Sequence, residues 1–257
     1  MSAMQDEQQT ATAGTIVKVG TDPQAAAKTA ATNGVVQVTP GVEGPAGLIA
    51  FLRAIGPLIF TEGETPVPNH PDLNLVTNAG RTTKPKSVFH SDTSYIERPP
   101  AYSALIAIDV PDAGGATLFT DQYAALDALE PGVRSELIGA RVRHGPTDVP
   151  ETEAVWHPLI RRNPQTGRDA LFLTSLARCT RLELRNGKDR SDLIGMLYEH
   201  SINFQTPKRH VWAKGDVVLW DNRCTLHAAD HSAVVGTRTL YRGLVQGERP
   251  FAAVDAA

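Results

Sequence analysis

The sequence predicts a mainly β protein with added helices, built as a jelly-roll-like double sheet. Several short runs rich in β-forming residues are separated by turn signals at 112–115, 163–167 and 214–216. The helical patterns between these runs do not alternate regularly with them, as they would in a parallel sheet covered by helices. A chain of 257 residues is also long enough to bury a sizeable core without disulfides.

The N-terminal third contains a predicted tail, a strand, a helix and a loop. Residues 1–14 are polar and are predicted to form a disordered tail, followed by one domain over residues 15–257. The apolar run 34–38 predicts a strand, and the apolar positions of 45–55 recur at helical spacing. The segment 61–86 is rich in polar residues, Pro and Asn, which predicts a long loop. Because long loops in compact domains often cover a binding site, this loop is a candidate lid.

The rest of the chain changes irregularly between strand and helix patterns. Helices are predicted at 121–129 and 190–203, where apolar residues recur at helical spacing. The sequence contains no internal repeat or low-complexity tract, and no linker divides it in two. Strands are predicted at 87–95, 101–110, 116–120, 155–161, 170–174, 216–220 and 237–245.

The charge balance and the apolar pattern argue against several functional classes. The net charge of −3 provides no broad basic surface for nucleic acid or for an anionic membrane. No apolar run approaches the roughly 20 residues that a membrane-spanning helix needs. The N-terminus lacks the basic and apolar regions of a secretory signal, and Cys179 and Cys224 are not spaced as metal ligands. We therefore expect a cytoplasmic protein with two reduced thiols and neither a nucleic-acid nor a membrane partner.

The segment 88–94 contains the clearest chemical signal. Residues two apart on a strand point to the same face, so His90 and Asp92 would present an imidazole and a carboxylate side by side. These two ligands and one distant histidine would form a facial triad, which is typical of Fe(II) and leaves positions open on the metal. On its own, a His-x-Asp tripeptide is weak evidence and more often marks an ordinary surface or core pair.

The C-terminal third contains the residues that favour a metal site. A strand pattern at 216–220 leads through a turn to His227, which can provide the third ligand. If the run that begins at Thr237 is a strand, Arg238 and Arg242 share a face. Two arginines are costly to bury unless each meets an anion, and a guanidinium suits bidentate carboxylate binding. One arginine for a co-substrate carboxylate and one for an anionic substrate is the functional interpretation, and two solvated arginines on an outer face is the alternative.

Four motifs occur in order over roughly residues 34–250, and the two arginines follow the last of them. The motifs are Phe-His-Ser-Asp-Thr-Ser-Tyr (89–95), Gly-Gly-Ala-Thr-Leu-Phe-Thr-Asp (114–121), His-Pro-Leu-Ile-Arg-Arg-Asn-Pro-Gln-Thr-Gly-Arg (157–168) and Trp-Asp-Asn-Arg-Cys-Thr-Leu-His (220–227). Together they resemble the taurine dioxygenase / 2,4-dichlorophenoxyacetate dioxygenase family. The family fold is a double-stranded β-helix, a distorted, cupin-like jelly roll, which agrees with the predicted strands.

The resemblance implies roles for the residues that match the family motifs. Thr117 would hydrogen-bond a carboxylate of the co-substrate 2-oxoglutarate, and Arg238 would form a salt bridge to its distal carboxylate. Arg242 falls where family members that use anionic substrates place a substrate-binding arginine. The residues that would bind Fe(II) are His90, Asp92 and His227.

The same resemblance implies a reaction. The enzyme would use 2-oxoglutarate and O2 to hydroxylate a small anionic organic molecule, with release of succinate and CO2. Hydroxylation next to a heteroatom would lead to C–O or C–S cleavage. Lys86, Asn78 and Tyr95 are candidates for substrate contacts beside the metal, and a homo-oligomer is the usual state in the family.

Two other functions remain open on the sequence alone. One is a zinc or other metal hydrolase on a cupin-like barrel, which would not need Thr117 and Arg238. The other is a non-catalytic metal-binding protein that kept the barrel. The presence of all three candidate metal ligands argues against the second alternative, and the dioxygenase is the favoured interpretation.

Overall fold

The structure is a computed structural model that describes residues 14–80, 87–145 and 154–253. Within these residues the largest sheet has eight strands, and all of its pairings except that of β1 with β2 are antiparallel. Along the sheet the order is β1 (Val17–Val19), β2 (Val35–Val38), β14 (Val217–Asp221), β6 (Pro100–Asp109), β16 (Thr239–Gln246), β5 (His70–Thr77) and β4 (Pro66–Val67), and β3 (Leu58–Ile59) pairs with β16.

A smaller sheet packs against one face of the large sheet. Its three strands lie in the order β13 (Lys208–His210), β7 (Thr117–Asp121) and β15 (Thr225–Ala229). Phe119 of the small sheet shares a core cluster with Leu105, Val218 and Leu240 of the large sheet. The two packed sheets form the predicted double-stranded β-helix, so the predicted fold class is confirmed.

Helices cover the other face of the large sheet and flank the small one. Helix α1 begins where the side chain of Asp22 accepts hydrogen bonds from two backbone N–H groups and ends at Gly34, whose φ is +81°. Helix α2 packs closely on β16, where a Cβ at Gly243 would lie 2.3 Å from Leu52 Cδ1. The helices are α1 (Pro23–Asn33), α2 (Gly44–Ile55), α3 (Gln122–Asp127), α4 (Pro131–Glu136) and α5 (Ile194–Asn203).

A further group of strands forms a separate apolar cluster together with residues of α5. This cluster includes Val142, Leu159 and Leu197. Its three-stranded sheet has the order β12 (Cys179–Glu183), β8 (Arg141–His144) and β9 (Val155–Pro158), and β10 (Ile160–Arg162) pairs with β11 (Asp169–Leu171).

The central strand β14 shows how the sequence builds two layers. Val217 and Leu219 point into the core beneath α1 and α2, whereas Val218 and Trp220 point toward the small sheet. This alternation follows from the two-residue period of a strand. A strand covered on both faces reads as a continuous apolar run, as this one does.

Two predicted segments differ from the structure. The prediction of a strand at 87–95 is wrong, because only His90 pairs there, through an isolated bridge to His227. The prediction of a loop over 61–86 is wrong for its central part, since β4 and β5 lie within it. The polar sequence His-Pro-Asp-Leu-Asn at the start of β5 concealed that strand.

Some predictions fall on residues that the structure does not describe. Residues 1–13 of the predicted tail lie outside the described residues, and so do residues 81–86, which include Lys86. Cys179 and Cys224 are buried free thiols, as expected. Among the described residues, no helix has the length and apolar character needed to cross a membrane.

Candidate metal and co-substrate site

A single antiparallel bridge brings two histidines together. The amide N–H of His90 donates to the carbonyl of His227 at 3.0 Å, and the amide N–H of His227 donates back at 2.9 Å. The two ring centroids lie 4.3 Å apart. Because His227 lies on β15, the bridge positions the irregular segment around His90 without a regular strand.

Asp92 completes a compact group of three ligands. Its Oδ1 lies 3.7 Å from Nε2 of His90, and its Oδ2 lies 3.8 Å from Nε2 of His227. One ligand atom from each of the three residues lies within 4.8 Å of the others. Two imidazoles and one carboxylate are the donors of the facial triad that binds Fe(II). The donor set therefore fits one divalent metal ion.

Several contacts orient the carboxylate of Asp92, which is buried. Ser103 Oγ donates to its Oδ2 at 2.7 Å, and Arg242 Nη1 donates to its Oδ1 at 2.7 Å. The amide N–H of Asp92 donates to Oδ1 of Asn222 at 3.3 Å. The next residue, Thr93, has a φ of +45°, a strained value for a β-branched side chain. Strain of this kind persists only where the surroundings hold it, and it is common at functional sites.

The charge states of the three residues suit metal binding. Burial alone would raise the pKa of Asp92, but Arg242 and the two histidines outweigh it, and the pKa lies well below its usual value. Burial, helped by His90, lowers the pKa of His227 to about 3. At neutral pH the site therefore offers a carboxylate and a neutral imidazole, the forms that bind metals. Nδ1 of His90 lies 3.0 Å from the carbonyl oxygen of Val88, which leaves Nε2 for the metal.

A buried arginine beside the metal ligands has no carboxylate partner among the described residues. Arg238 is 4% exposed. Its Nε donates to the carbonyl of Gly115 at 2.8 Å, and its Nη2 donates to Thr117 Oγ1 at 3.3 Å. Burial lowers the pKa of the guanidinium to about 10, so it stays protonated at neutral pH. A buried charge without a partner costs roughly 3–5 kcal/mol, so this position favours an anionic ligand.

Two consecutive glycines let the chain pass directly over that arginine. Gly114 and Gly115 have φ values of +71° and +72°, which favour glycine. A Cβ at Gly115 would lie 3.0 Å from Cδ of Arg238, and one at Gly114 would lie 2.5 Å from the carbonyl oxygen of Ala233. The glycine pair therefore allows the close approach through which the Gly115 carbonyl accepts from Arg238.

One cavity connects the arginine with the metal ligands. This cavity, the Arg238 cavity, has a volume of 210 Å³ and is lined by Thr117, Arg238, His90 and His227 among others. Trp212 Nε1 donates to Thr117 Oγ1 at 3.0 Å and so fixes the hydroxyl. The cavity therefore combines a metal-binding group, a hydroxyl and a cation in one space.

A second cavity, the Arg178 cavity, borders the same metal ligands and has a volume of 260 Å³. It shares Glu64, His90 and Arg242 with the Arg238 cavity. Arg242 Nη2 lies 3.5 Å from Oε1 of Glu64, so an ion pair stands between the two spaces. The other residues that line the Arg178 cavity are Thr61, Val88, Asp92, Thr93, Tyr95, Ser175 and Arg178.

Comparison with known proteins places the chain in a family. The model of the "Taurine catabolism dioxygenase TauD, TfdA family" matches residues 18–244. The chain belongs to this family. The resemblance predicted from the four motifs is thereby confirmed.

Individual members of the TauD/TfdA family resemble the chain at moderate identity. The alpha-ketoglutarate-dependent 2,4-dichlorophenoxyacetate dioxygenase of Burkholderia sp. is 35% identical over 176 residues, which are 63% of this chain and 59% of that enzyme. Pentalenolactone F synthase of Streptomyces arenae is 32% identical over 193 residues, which are 63% of this chain and 64% of that protein. The matches therefore span less than two thirds of either relative. A crystal structure of a taurine dioxygenase from Burkholderia xenovorans shares the fold, with a TM-score of 0.75 and 24% identity over 94% of this chain and 91% of that one.

In this TauD/TfdA-family chain, most of the residues predicted for the site lie around the two cavities. Arg242 lies between the cavities and contacts Asp92, so its contact with a substrate stays a prediction. Tyr95 lines the Arg178 cavity together with His90 and Asp92, and its contact with a substrate also stays a prediction. The residues brought together at the metal ligands and the Arg238 cavity are His90, Asp92, His227, Thr117 and Arg238.

Asn78 and Lys86 differ from the other predicted residues. Asn78 is not among the residues that line either of the two cavities. Its Oδ1 accepts from the backbone N–H of Arg238 at 2.8 Å, and its Nδ2 donates to the carbonyl of Gly236 at 3.0 Å. Asn78 thus holds the backbone that carries Arg238, whereas Lys86 lies outside the described residues.

Sequence reasoning missed three residues of the site. Ser103 is a polar residue inside the apolar strand β6, and a buried hydroxyl in such a strand is itself a sign of a polar partner. Glu64 and Arg178 lie in irregular segments, where no periodic pattern indicates which way a side chain points.

Proposed function

We propose that this chain is an Fe(II)- and 2-oxoglutarate-dependent dioxygenase that hydroxylates a small anionic organic substrate and releases succinate and CO2. One observation carries the proposal. Arg238, a buried cation without a described carboxylate partner, lines the same 210 Å³ cavity as His90 and His227. A metal site alone would not require that cation, whereas a co-substrate with a second carboxylate would use it.

His90, Asp92 and His227 would hold the metal ion. Fe(II), when bound to two imidazoles and one carboxylate, supplies the activation of O2 and keeps positions open for a chelating co-substrate. The contribution of the protein is to hold the ligands in place. Ser103 and Arg242 each donate a 2.7 Å hydrogen bond to the Asp92 carboxylate, which fixes its orientation before any metal binds.

Arg238 and Thr117 would bind the distal carboxylate of 2-oxoglutarate. Two of the five N–H groups of Arg238 are used by Gly115 and Thr117, which leaves N–H groups on both terminal nitrogens for a carboxylate. Asn78 holds the backbone of Arg238 in place. The Trp212 N–H donates to the Thr117 hydroxyl, whose own proton is therefore free to donate to the ligand. The pair would thus orient 2-oxoglutarate toward the metal ligands.

The Arg178 cavity would bind the substrate. It borders His90 and Asp92, and it contains two arginines and the ring of Tyr95. Arg242 is paired with Glu64 and Asp92, whereas Arg178 forms no ion pair with a described residue, and a guanidinium of this kind favours an anionic molecule. Relatives named for 2,4-dichlorophenoxyacetate and for sulfonates support the same class. Where the hydroxylated carbon bears an oxygen or sulfur substituent, collapse of the product would break the C–O or C–S bond.

An anaerobic spectroscopic titration tests the proposal without a known substrate. Fe(II) and then 2-oxoglutarate are added to metal-free protein, and the visible spectrum is recorded for wild type, Asp92→Ala and Arg238→Ala. We expect a weak metal-to-ligand charge-transfer band that requires both additions, disappears in Asp92→Ala and needs far more 2-oxoglutarate in Arg238→Ala. Arg209→Ala, which removes an exposed arginine paired with Asp230, is the control and should behave as wild type.

The outcome also separates the proposal from its alternatives. Folded, iron-loaded wild-type protein without a band would bind the metal without chelation by 2-oxoglutarate. That result would overturn the dioxygenase proposal and favour a metal hydrolase or a binding protein.

A further inference from the structure

The arginine that the motifs assign to the substrate already faces two carboxylates. Nη1 of Arg242 donates to Oδ1 of Asp92 at 2.7 Å, and its Nη2 lies 3.5 Å from Oε1 of Glu64. Asp92 is a metal ligand in the proposed function, so its buried carboxylate has to stay where it is. A substrate anion that binds Arg242 would therefore take the place of Glu64.

Arg242 holds Glu64 more weakly than it holds Asp92. The side chain of Glu64 is 44% exposed, whereas that of Asp92 is 2% exposed. The 3.5 Å separation between Glu64 and Arg242 is longer than a typical hydrogen bond, and exposed ion pairs contribute little free energy. Glu64 is therefore the partner that an anion can displace.

Arg242 also has hydrogen-bonding capacity that Glu64 does not use. Its Nε is buried and has no hydrogen-bond partner among the described residues. Nε and Nη2 lie on the same edge of the guanidinium, and such an edge can bind two oxygens of one anion. A carboxylate or sulfonate can therefore form two charge-assisted hydrogen bonds at the edge where Glu64 makes only the 3.5 Å contact.

The backbone on both sides of Glu64 is anchored, so only the side chain needs to move. Before it in the chain, the hydroxyl of Thr61 lies 3.1 Å from the hydroxyl of Thr93. After it, the carbonyl of Thr65 accepts from the N–H of Leu75 at 2.8 Å. The partly exposed carboxylate of Glu64 can therefore turn toward solvent while the backbone stays in place.

The charges of the site balance with either Glu64 or a substrate anion at Arg242, but not with both. Fe(II) and doubly charged 2-oxoglutarate, with Asp92, Arg238 and Arg242, carry one net positive charge. Glu64 neutralises this charge when no substrate is bound. If Glu64 stayed in place after an anion had bound, the two like charges would repel each other beside the metal.

We propose that Glu64 is the counter-ion of Arg242 in the substrate-free protein and that the anionic group of the substrate replaces it. Glu64 is thereby a specificity-determining residue, because a neutral molecule has no charge with which to replace the carboxylate. The inference rests on the proposed function and on the predicted substrate contact of Arg242, and it adds the residue that the substrate displaces.

Substitution of Glu64 tests this role with model compounds. Phenylacetate, benzenesulfonate, hexanoate and hexanesulfonate, with the corresponding amides and sulfonamides, are titrated by anaerobic calorimetry into protein loaded with Fe(II) and 2-oxoglutarate. In Glu64→Gln we expect the dissociation constants of the anions to fall roughly 2- to 5-fold, the effect of losing a partly exposed ion pair that competes for Arg242. The dissociation constants of the neutral compounds should stay the same.

Two further variants distinguish contact with Arg242 from a general effect of charge. Glu64→Asp keeps the charge but shortens the side chain by one methylene group, so its anion affinity should lie between those of wild type and Glu64→Gln. Glu62→Gln removes the same charge from an exposed side chain in the same segment, and Glu62 is not among the residues that line the two cavities. This control should bind the anions as wild type does.

Three results would overturn the proposal. They are unchanged or weaker anion binding in Glu64→Gln, an equal gain in Glu64→Gln and Glu62→Gln, and no binding of any anion of the set to either wild type or Glu64→Gln when the charge-transfer band is normal. Absence of the band in wild-type protein would instead contradict the proposed function, and this inference with it.

Discussion

Ser103 donates a 2.7 Å hydrogen bond from its Oγ to Oδ2 of Asp92, and so ties the carboxylate to the central strand β6. Ser103 in turn accepts a 2.7 Å hydrogen bond from Nδ2 of Asn222. Oδ1 of Asn222 accepts from the indole N–H of Trp220 at 3.1 Å. All four side chains are buried, so the orientation of Asp92 depends on a network that exists without a metal.

Removal of the Ser103 hydroxyl should weaken iron binding. Outer partners of metal ligands typically contribute about 10- to 100-fold in metal affinity, so we expect a loss of that order in Ser103→Ala. The measurement is an anaerobic Fe(II) titration at saturating 2-oxoglutarate. Ser232→Ala, which removes a hydroxyl that donates to Asp230, is a matched control with no expected effect. Equal iron affinity in Ser103→Ala and wild type would mean that Arg242 alone orients the carboxylate.

Substitution of Gly115 should impair the Arg238 cavity. In Gly115→Ala the new Cβ would lie 2.9 Å from Pro111 Cγ and 3.0 Å from Arg238 Cδ, at a φ of +72°. The arginine must move, so we expect a rise of about 10-fold or more in the 2-oxoglutarate concentration for half-maximal band formation, since a displacement near 1 Å can cost more than that. Iron affinity should change little.

A substitution at a second glycine, Gly167, is the control that distinguishes the effect of backbone strain from the effect of displacing Arg238. Gly167 has a φ of +68°, and a Cβ built there has no atom within 4 Å. Gly167→Ala should therefore lower the free energy of unfolding by about 1 kcal/mol through the φ alone and leave 2-oxoglutarate binding unchanged. If the two variants behave alike toward 2-oxoglutarate, the contact with Arg238 is not the cause.

The metal ligands could be predicted from the sequence because each lies in a distinctive local pattern. His90 and Asp92 are two residues apart, and His227 follows β14, a strand whose residues are all buried. The geometric reason given for the first pair was wrong, since 87–95 is not a strand. A single backbone bridge to His227 positions His90 instead, and such a long-range pairing leaves no periodic signal.

The rest of the site depends on contacts between distant segments. The motifs pointed to Arg238 and Thr117, which form a 3.3 Å hydrogen bond in the structure. The carbonyl of Gly115 that accepts from the guanidinium comes from a loop 123 residues away in sequence. The pairing of Arg242 with Asp92 spans 150 residues. Local sequence patterns indicate which side chains share a face of a strand. Which oppositely charged side chains form ion pairs depends on how the sheets pack, and the sequence pattern does not show this.

Glu248 should contribute strongly to stability through a buried partner. Its Oε1 accepts from Nη2 of Arg161 at 2.6 Å, and Arg161 has a fully buried side chain. Removal of the carboxylate would leave that cation buried without its partner, a change that typically costs about 3–5 kcal/mol. Since Glu248 is itself 28% exposed, we expect a loss of roughly 2–3 kcal/mol in the unfolding free energy of Glu248→Gln, measured with urea.

A nearby ion pair provides the control for that measurement. Arg249 lies 3.4 Å from Glu97, and the two side chains are 74% and 67% exposed. Exposed pairs contribute roughly 0–1 kcal/mol, so Glu97→Gln should unfold almost as wild type. If Glu248→Gln and Glu97→Gln lost similar amounts of unfolding free energy, the burial of Arg161 would not be the cause of the loss in Glu248→Gln.

A pair of buried histidines should make the fold sensitive to mild acid. Burial lowers the pKa of His157 to about 4, although the Ser94 carbonyl beside its Nε2 opposes the shift. Burial and then His157 lower the pKa of His144 well below its usual value. Arg161 adds positive charge beside both rings. Both imidazoles are therefore neutral in the folded protein at pH values where the unfolded chain is protonated.

The sign of the pH effect follows from these directions. An unfolded histidine binds its proton near pH 6.5, whereas folded His157 does so only near pH 4, so the unfolded state takes up more protons between these values. The neutral His157 contributes fully to the free energy of unfolding above pH 6.5. This contribution is lost as the pH falls, and at pH 5 the loss for His157 alone is roughly 2 kcal/mol. Urea unfolding of metal-free protein at pH 7, 6 and 5 measures it. His144→Leu removes one of the two groups and should reduce the slope, whereas an unchanged slope would assign the acid sensitivity to other residues.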